Sequence, residues 1–412
     1  MANIANFAAP VEMALSGAGA QFGGPMAKET AQFVATVGSL KEIWRQEEHL
    51  GLIRELTPPD SHIGLQFCPW MEVETDDVVF DFVKSSGAGM APAVSQDAES
   101  KLFQDIDDIT GEMRASIIDW RHKSRYSSSD VMTYREFSVV KNTLEGAGQG
   151  IPRGISKITD GFPQRVARDT ARRRLWLDNR IEWMILTSLS TGKLVYADGQ
   201  IKFNVDWRRP ADQHNQAPES GTYAADTHDP INDVLAIKEK MYQEKYVNMT
   251  RAICTSKFIN RLYRSAKFIP RNTGYLPSSG IDASDIPYLT EGWGPKAALD
   301  LIERETGVQF IVNDNVFVAR NFQTGAVSNQ RFIPENQVIF LPDQASIDLI
   351  DDTEVGFGKM LTSPHPMGDF QPGFYSWEQE ETDPWQHVIG SGVKAFPVFP
   401  HMDLTYTMTV TL

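Results

Sequence analysis

The chain has 412 residues, 41% of them hydrophobic, enough to build a real core in two or three domains or in one elaborate one. No apolar run approaches a membrane span, and the first residues lack the basic start and apolar block of a secretory leader. A net charge of −15 argues against a uniformly nucleic-acid-gripping surface, and two cysteines, Cys68 and Cys254, are too few for a disulfide framework and read as reduced thiols of cytosolic origin.

Residues 1–30 are rich in Ala and Gly, lack periodicity and read as a mobile arm. From Thr30 to Leu56 helical spacing appears in places (Leu40, Ile43, Trp44), and Pro58 and Pro59 close it. Residues 71–83 read as one strand, with Met71, Val73, Val78, Phe80 and Phe82 as its apolar positions. Residues 84–112 begin polar and Gly-rich; residues 113–126 and 131–140 then read as strands running back. This excursion has too few apolar residues for a core of its own, and a structureless loop of that length is unusual inside a compact domain. A long β-arm that leaves its own domain and packs on another molecule is expected instead.

Residues 163–190 form the strongest predicted helix, with Pro163 at its start and Gly192 just past its end. Val166, Thr170, Leu177, Ile181, Met184 and Ile185 recur at helical spacing, over a length of about 40 Å. A hairpin follows, turning at Asp198-Gly199, with Ile201, Phe203, Val205 and Trp207 alternating on its second strand. After a polar link over 208–227 the pattern becomes an α/β lobe. It has helices at 230–246, 256–267 and 294–306, and strands at 251–255, 308–312 and 336–342. Beyond Pro364 the chain is irregular and aromatic. It ends on a strand in which Met402, Leu404, Tyr406, Met408, Val410 and Leu412 alternate with Asp403 and four threonines, the pattern of one apolar and one polar face. No repeat at solenoid or propeller periods is present.

Charge is segregated along the chain. Residues 72–112 carry eleven carboxylates against Lys84 and Lys101, whereas residues 163–180 carry six arginines against Asp169 and Asp178. Arg165, Arg168 and Arg172 share a helix face and form a candidate nucleic-acid stripe; Arg172, Arg173 and Arg174 point about 100° apart and cannot. The plainer reading is a solvated face with local ion pairs such as Arg165–Asp169.

Catalytic signatures are missing. The Gly cluster at 146–154 has neither the Lys-Ser/Thr of a P-loop nor a dinucleotide fingerprint, and reads as a connector. The eight histidines are scattered without metal-ligand spacing. The acidic run at 105–110 lacks the glycine and final glutamate of a calcium loop. No catalytic residue, cofactor or metal site is expected.

A long arginine-rich helix leading into "GKLVYADGQIKFNVDW", then a helix-rich lobe, "FIPENQVIFLPD" at 332–343, and an aromatic stretch ending in an alternating strand together resemble the lambda-type capsid protein E family of tailed phages, with its Hong Kong 97-type capsid fold. The resemblance covers roughly residues 50–412. It implies an α+β fold with an N-terminal arm (1–67), an extension loop (68–138), a peripheral domain with a long spine helix and hairpin (139–226), an axial domain (227–360) and a return to the peripheral domain (361–412). The terminal strand would pair with residues 193–207 and the base of the extension loop. The implied function is a non-enzymatic major capsid protein that assembles as hexamers and pentamers into an icosahedral head around double-stranded DNA. Its implied partners are a separate scaffolding protein, a portal, a decoration protein and the packaged DNA through non-specific contacts, with no membrane; Arg165, Arg168 and Arg172 would face the genome. The place would be the virion, after synthesis in the host cytoplasm. An encapsulin-like compartment is the alternative within this fold, and a soluble α/β enzyme using the 227–360 lobe is the alternative outside it.

Overall fold

The computed structural model describes residues 46–84, 109–148, 150, 153–198, 201–224, 228–262, 265, 295–320, 327–350 and 356–411. The arm expected over residues 1–30 and the middle of the acidic excursion lie outside them.

Helix α1 (Gln46–Glu55) stops before Pro58 and Pro59, and a single turn, α2 (Gly64–Phe67), leads to β1 (Trp70–Glu72). Strands β2 (Asp77–Lys84) and β3 (Ile109–Ser116) form an antiparallel ribbon from Asp77↔Ser116 to Lys84↔Ile109. The single strand predicted over 71–83 is therefore two. The break falls at Asp76, whose carboxylate is drawn to Lys394 at 2.8 and 2.9 Å, so that β1 stays in the body while β2 leaves it.

After β4 (Asp119–Ser127) comes helix α3 (Ser128–Gly146), where a returning strand was predicted over 131–140. The Ser127 hydroxyl accepts from the Asp130 N–H and caps the helix, and Val131 and Tyr134, three apart, bury against Phe162. Helix α4 (Arg153–Thr191) has 39 residues, about 58 Å of rise, and starts ten residues before the predicted Pro163. Pro163 sits inside it. The packing of Phe162 and Val166 on Tyr126, Tyr134 and Ile389 offsets the missing proline N–H.

The hairpin β5 (Lys193–Asp198) and β6 (Ile201–Asp206) forms as expected. The lobe contributes α5 (Pro230–Lys245), β7 (Met249–Cys254), α6 (Ser256–Leu262), α7 (Pro295–Thr306) and β8 (Gln309–Val312). A second hairpin, β9 (Val316–Arg320) and β10 (Val327–Arg331), is followed by β11 (Gln337–Pro342) and α8 (Gln344–Ile350). The chain closes with β12 (Lys359–Thr362), β13 (Phe374–Thr382), β14 (Trp385–Val398) and β15 (Tyr406–Thr409).

Two main sheets result. In the first, the order is β1-β12-β14-β13, with β4 also on β14. Helix α4 lies on one face of this sheet, and Leu177, Ile181, Met184, Ile185 and Leu189 join a core with Phe396, Val398 and Phe399. The second sheet, β15-β11-β7-β8, has its own core with the helices of the lobe.

The terminal strand therefore belongs to the lobe. It pairs with β11 from Gln337↔Thr409 to Phe340↔Tyr406, and not with residues 193–207 or the root of the arm. It also has no solvated face: Thr405 and Thr407 are as buried as Met408 and Val410. The threonine hydroxyls find partners instead of water. Thr405 donates to the Met402 carbonyl and accepts from Arg209, and Thr407 accepts from the Asn215 N–H. The first residues of the predicted strand, Met402–Leu404, are a 3-10 turn.

Candidate assembly surfaces

The predicted basic stripe lies on α4, but its charge is largely engaged. Arg165 approaches Asp130 at 3.7 Å and the Tyr126 ring at 5.9 Å. Arg172 pairs with Asp169 at 3.9 Å, so the expected Arg165–Asp169 pair is replaced by these two contacts. Arg168 is half-buried.

Arg173 and Arg174, set aside by the sequence argument, are buried structural bridges. Arg173 donates to Ser391 (3.0 Å), Ser124 (2.8 Å) and Thr170 (2.7 Å), tying β14 and β4 to the helix. Arg174 grips both Asp178 oxygens at 3.0 Å, donates to the Ile53 carbonyl at 2.7 Å and stacks 3.3 Å from the Phe374 ring centre. Burial pushes the Asp178 carboxyl up against the pull of Arg174. The signal that could have marked both arginines was their position within an otherwise apolar stripe.

One turn further on, Glu182 is buried and accepts from the Ile63 N–H (2.9 Å) and Gly64 N–H (2.8 Å), fixing α2 to the long helix. Burial raises its carboxyl to about 7 in spite of those two bonds. At the far end of α4, Arg209 donates to the Leu189 and Ser190 carbonyls, where the helix dipole is negative, and burial lowers it to about 10.

The root of the β2–β3 ribbon is locked to the body. The Ile117 N–H donates to the Asp76 carbonyl, Val73 to Thr362, and Ala395 to Ile118. Burial alone would raise the Asp76 carboxyl, but hydrogen bonds from Lys394 and Ser363 hold it below its usual range. Beside it Asp119 accepts from Tyr375 and Arg121, and His365 stacks flat on Tyr375 at 4.0 Å.

The sheet face opposite α4 is a shelf. On β4, His122 and Ser124 turn to the helix, touching Trp176 and Arg173, so Arg121, Lys123 and Arg125 occupy the other face. They lie opposite Gly392, Gly390 and Val388 of β14, and beyond those are Tyr375 and Trp377 of β13. The glycines are required here: a Cβ at Gly390 would enter the Trp377 ring, and one at Gly392 would meet Tyr375. All three cations are exposed. Arg121 pairs with Asp119 and lies 5.9 Å from Trp377. Lys123 and Arg125 make no ion pair or hydrogen bond among the described residues.

Large apolar side chains are also exposed on α5 and at its C-terminal cap (Leu235, Tyr242, Tyr246), on the β9–β10 hairpin (Val316, Val318, Val327) and on α3 (Met132, Val139, Val140). Cys68 and Cys254 are buried and unpaired, and burial raises both thiols. Among the described residues no three His, Cys, Asp or Glu side chains converge as a metal site, and no helix is long and apolar enough to cross a membrane.

The sequence profile of the family described as phage major capsid protein E matches residues 149–350, the stretch from the start of the long helix through most of the lobe. No curated protein sequence matches the chain. Among solved structures, the chain is similar to a protein assigned as the capsid protein of a prophage of Escherichia coli CFT073. That similarity has a TM-score of 0.51 and 13% identity, over 88% of this chain and 96% of the other. A phage-related protein of Bordetella bronchiseptica RB50 matches at a TM-score of 0.47 and 12% identity, over 88% and 96%. The capsid of Myoviridae phage XM1 matches at 0.42 and 10%, over 87% and 97%. At these identities the first likeness speaks for the fold, and the profile speaks for the family. Residues 149–350 match the phage major capsid protein E family, and the chain has the Hong Kong 97-type capsid fold.

Proposed function

We propose that this protein is the major subunit of the icosahedral head of a tailed double-stranded DNA phage, a structural rather than a catalytic role. The observation that carries this reading is the β2–β3 ribbon, which leaves the body at a locked root and, among the described strands, pairs only within itself. An isolated two-stranded ribbon is at best marginally stable in water, so a neighbouring subunit is the natural source of the missing contacts. The family match favours a phage head over a protein-storage compartment. Within it, residues 68–138 would act as the extension loop, α4 as the spine of the peripheral domain and the second sheet as the axial domain, with β15 returning to that axial domain.

Shell building by many copies needs contacts weak enough to correct errors, about −4 kcal/mol each, or roughly millimolar. Arms that engage several neighbours sum such contacts into a durable whole. Scaffolding, portal and decoration proteins would be separate chains. Packaged DNA would meet the exposed side of α4 at Arg165, Arg168 and Arg172, where Asp130 and Asp169 already offset part of the charge.

The register makes a clean test available. Because Lys84 and Ile109 are partners, residues 85–108 can be replaced by an Asn-Gly turn that closes the ribbon without disturbing its root. The expected result is a subunit that folds with the wild-type urea midpoint and forms no stable shells under the electron microscope. Normal shells from that variant would remove the ribbon's role.

A further inference from the structure

We propose that the solvent-facing stripe of α4 around Trp176 docks an acidic amphipathic helix of a separate protein chain, with Trp176 as the apolar anchor and Arg172 and Arg180 as flanking cations. The inference rests on the shell-building role only in taking that separate proteins meet this subunit. Three observations carry it. First, Trp176 is 53% exposed, and no other large apolar side chain described on α4 is exposed. Its ring lies 4.5 Å from that of His122 on β4, so the indole is presented as a fixed surface with little entropy left to lose. Second, its neighbours on the stripe are cations. Arg165, Arg168, Arg172, Trp176, Arg180 and Trp183 follow one another at spacings of three and four, all at least partly open to solvent. The Arg180 guanidinium is held at 4.9, 5.0 and 5.1 Å from the rings of Trp120, Trp183 and Tyr196, and Arg172 meets Asp169 only at 3.9 Å. Third, packaged duplex DNA gives the tryptophan no task. Duplex phosphates are met by cations, hydroxyls and amides, and the bases are stacked out of an indole's reach. In protein interfaces, by contrast, Trp and Arg carry most of the binding energy.

The occupant follows from pitch and charge. Arg172, Trp176 and Arg180 are successive i, i+4 positions, each step about 6 Å along the axis. A helix with a leucine between two carboxylates, one four residues before it and one four after, offers the same spacing in the opposite charge. The chain carries −15 overall, so an acidic helix is repelled by the protein as a whole and steered to this stripe.

The test titrates the unassembled full chain into a fluorescein-labelled helical peptide of about 20 residues, with Glu four residues before and after a central Leu and Ala and Gln elsewhere, and reads anisotropy. Saturable binding is expected. W176A is expected to weaken it at least about tenfold, and W176F to keep most of it. R172E is expected to weaken it at least about tenfold and to regain it with a peptide in which one of the two Glu is Lys. Cooperative urea unfolding of each variant confirms that it is folded. The proposal is overturned if the peptide does not bind, if W176A binds it as wild type does, or if a scrambled peptide of the same composition binds equally well. It is overturned too if single-stranded DNA shows the W176A dependence and the peptide does not, which would make the stripe a base-stacking platform. Loss of shells in W176A with peptide binding unchanged would make it an interface between copies, and the proposal would fall. The binding assay needs no shell, so its failure strikes the docking site alone; absence of shells from the wild-type chain under the electron microscope strikes the functional reading instead.

Discussion

Arg173 is 2% exposed and holds three hydroxyls on three elements, whereas Arg165 is half in water and meets one carboxylate at the edge of ion-pair range. The same residue type on one helix therefore carries very different weight. Arg173→Ala is expected to destabilise the unassembled subunit by about 2–4 kcal/mol, since charged hydrogen bonds are lost and buried hydroxyls are left to repair themselves. Arg165→Ala is expected to stay within about 0.5 kcal/mol. Urea unfolding of the two variants checks the contrast. Glu182 adds a pH dependence of definite sign. Its folded value, about 7, lies above the ordinary 4.5, so the native state binds the proton more tightly than the unfolded chain. Stability from this group is full below pH 4.5 and falls as pH rises towards 7, by an amount on the order of 3 kcal/mol. Glu182→Gln is expected to flatten that slope when urea midpoints are compared across pH 4.5–8. An unchanged slope would show that Glu182 is ionised throughout.

At the scale of the element, β15 decides the lobe. Tyr406, Met408 and Val410 sit in the second core, and the strand covers one edge of β11, whose six residues are all buried. Removing residues 405–412 strips roughly 1.5–3 kcal/mol for each of the three side chains, a sum comparable with the whole stability of a domain. It also opens a long apolar strand edge, a template for aggregation. The truncated chain is expected to be insoluble on expression, while loss of Thr411 and Leu412 alone is expected to be tolerated; a soluble fraction measured after lysis separates the two. Helix α4 shows the converse. Its interior proline would break an isolated helix, yet packing at Phe162 and Val166 carries it through.

At the scale of the whole molecule, stability is shared unevenly. The two sheets and α4 form cores within one chain, while the ribbon beyond Val78 and Ala115 rests on its own two strands. In a closed shell a neighbour would cover it. Amide hydrogen exchange should therefore be fast over 77–84 and 109–116 in free subunits and at least about tenfold slower in shells, whereas β7 and β11 should be protected in both. Equal exchange of the ribbon in both states would show that assembly leaves it uncovered.

Periodicity alone found α4, the β5–β6 hairpin, α5, α7 and strands β7, β8 and β11, though not the β9–β10 hairpin, because an amphipathic stripe or an alternating strand is written in local spacing. It misread residues 131–140, where a Ser127 cap and a Val131–Tyr134 pair select a helix over the strand that the same apolar residues permit. The face of β4 that carries Arg121, Lys123 and Arg125 was hidden, because it is set by α4 taking His122 and Ser124 on the other side. By itself, the sequence determined which segments are regular and where the charge is concentrated. Only the tertiary structure decided that the final strand pairs with β11 and that two arginines of the long helix lie in the core. Strand pairing, burial and counter-charge are relations between residues hundreds of positions apart, and local spacing carries no record of them.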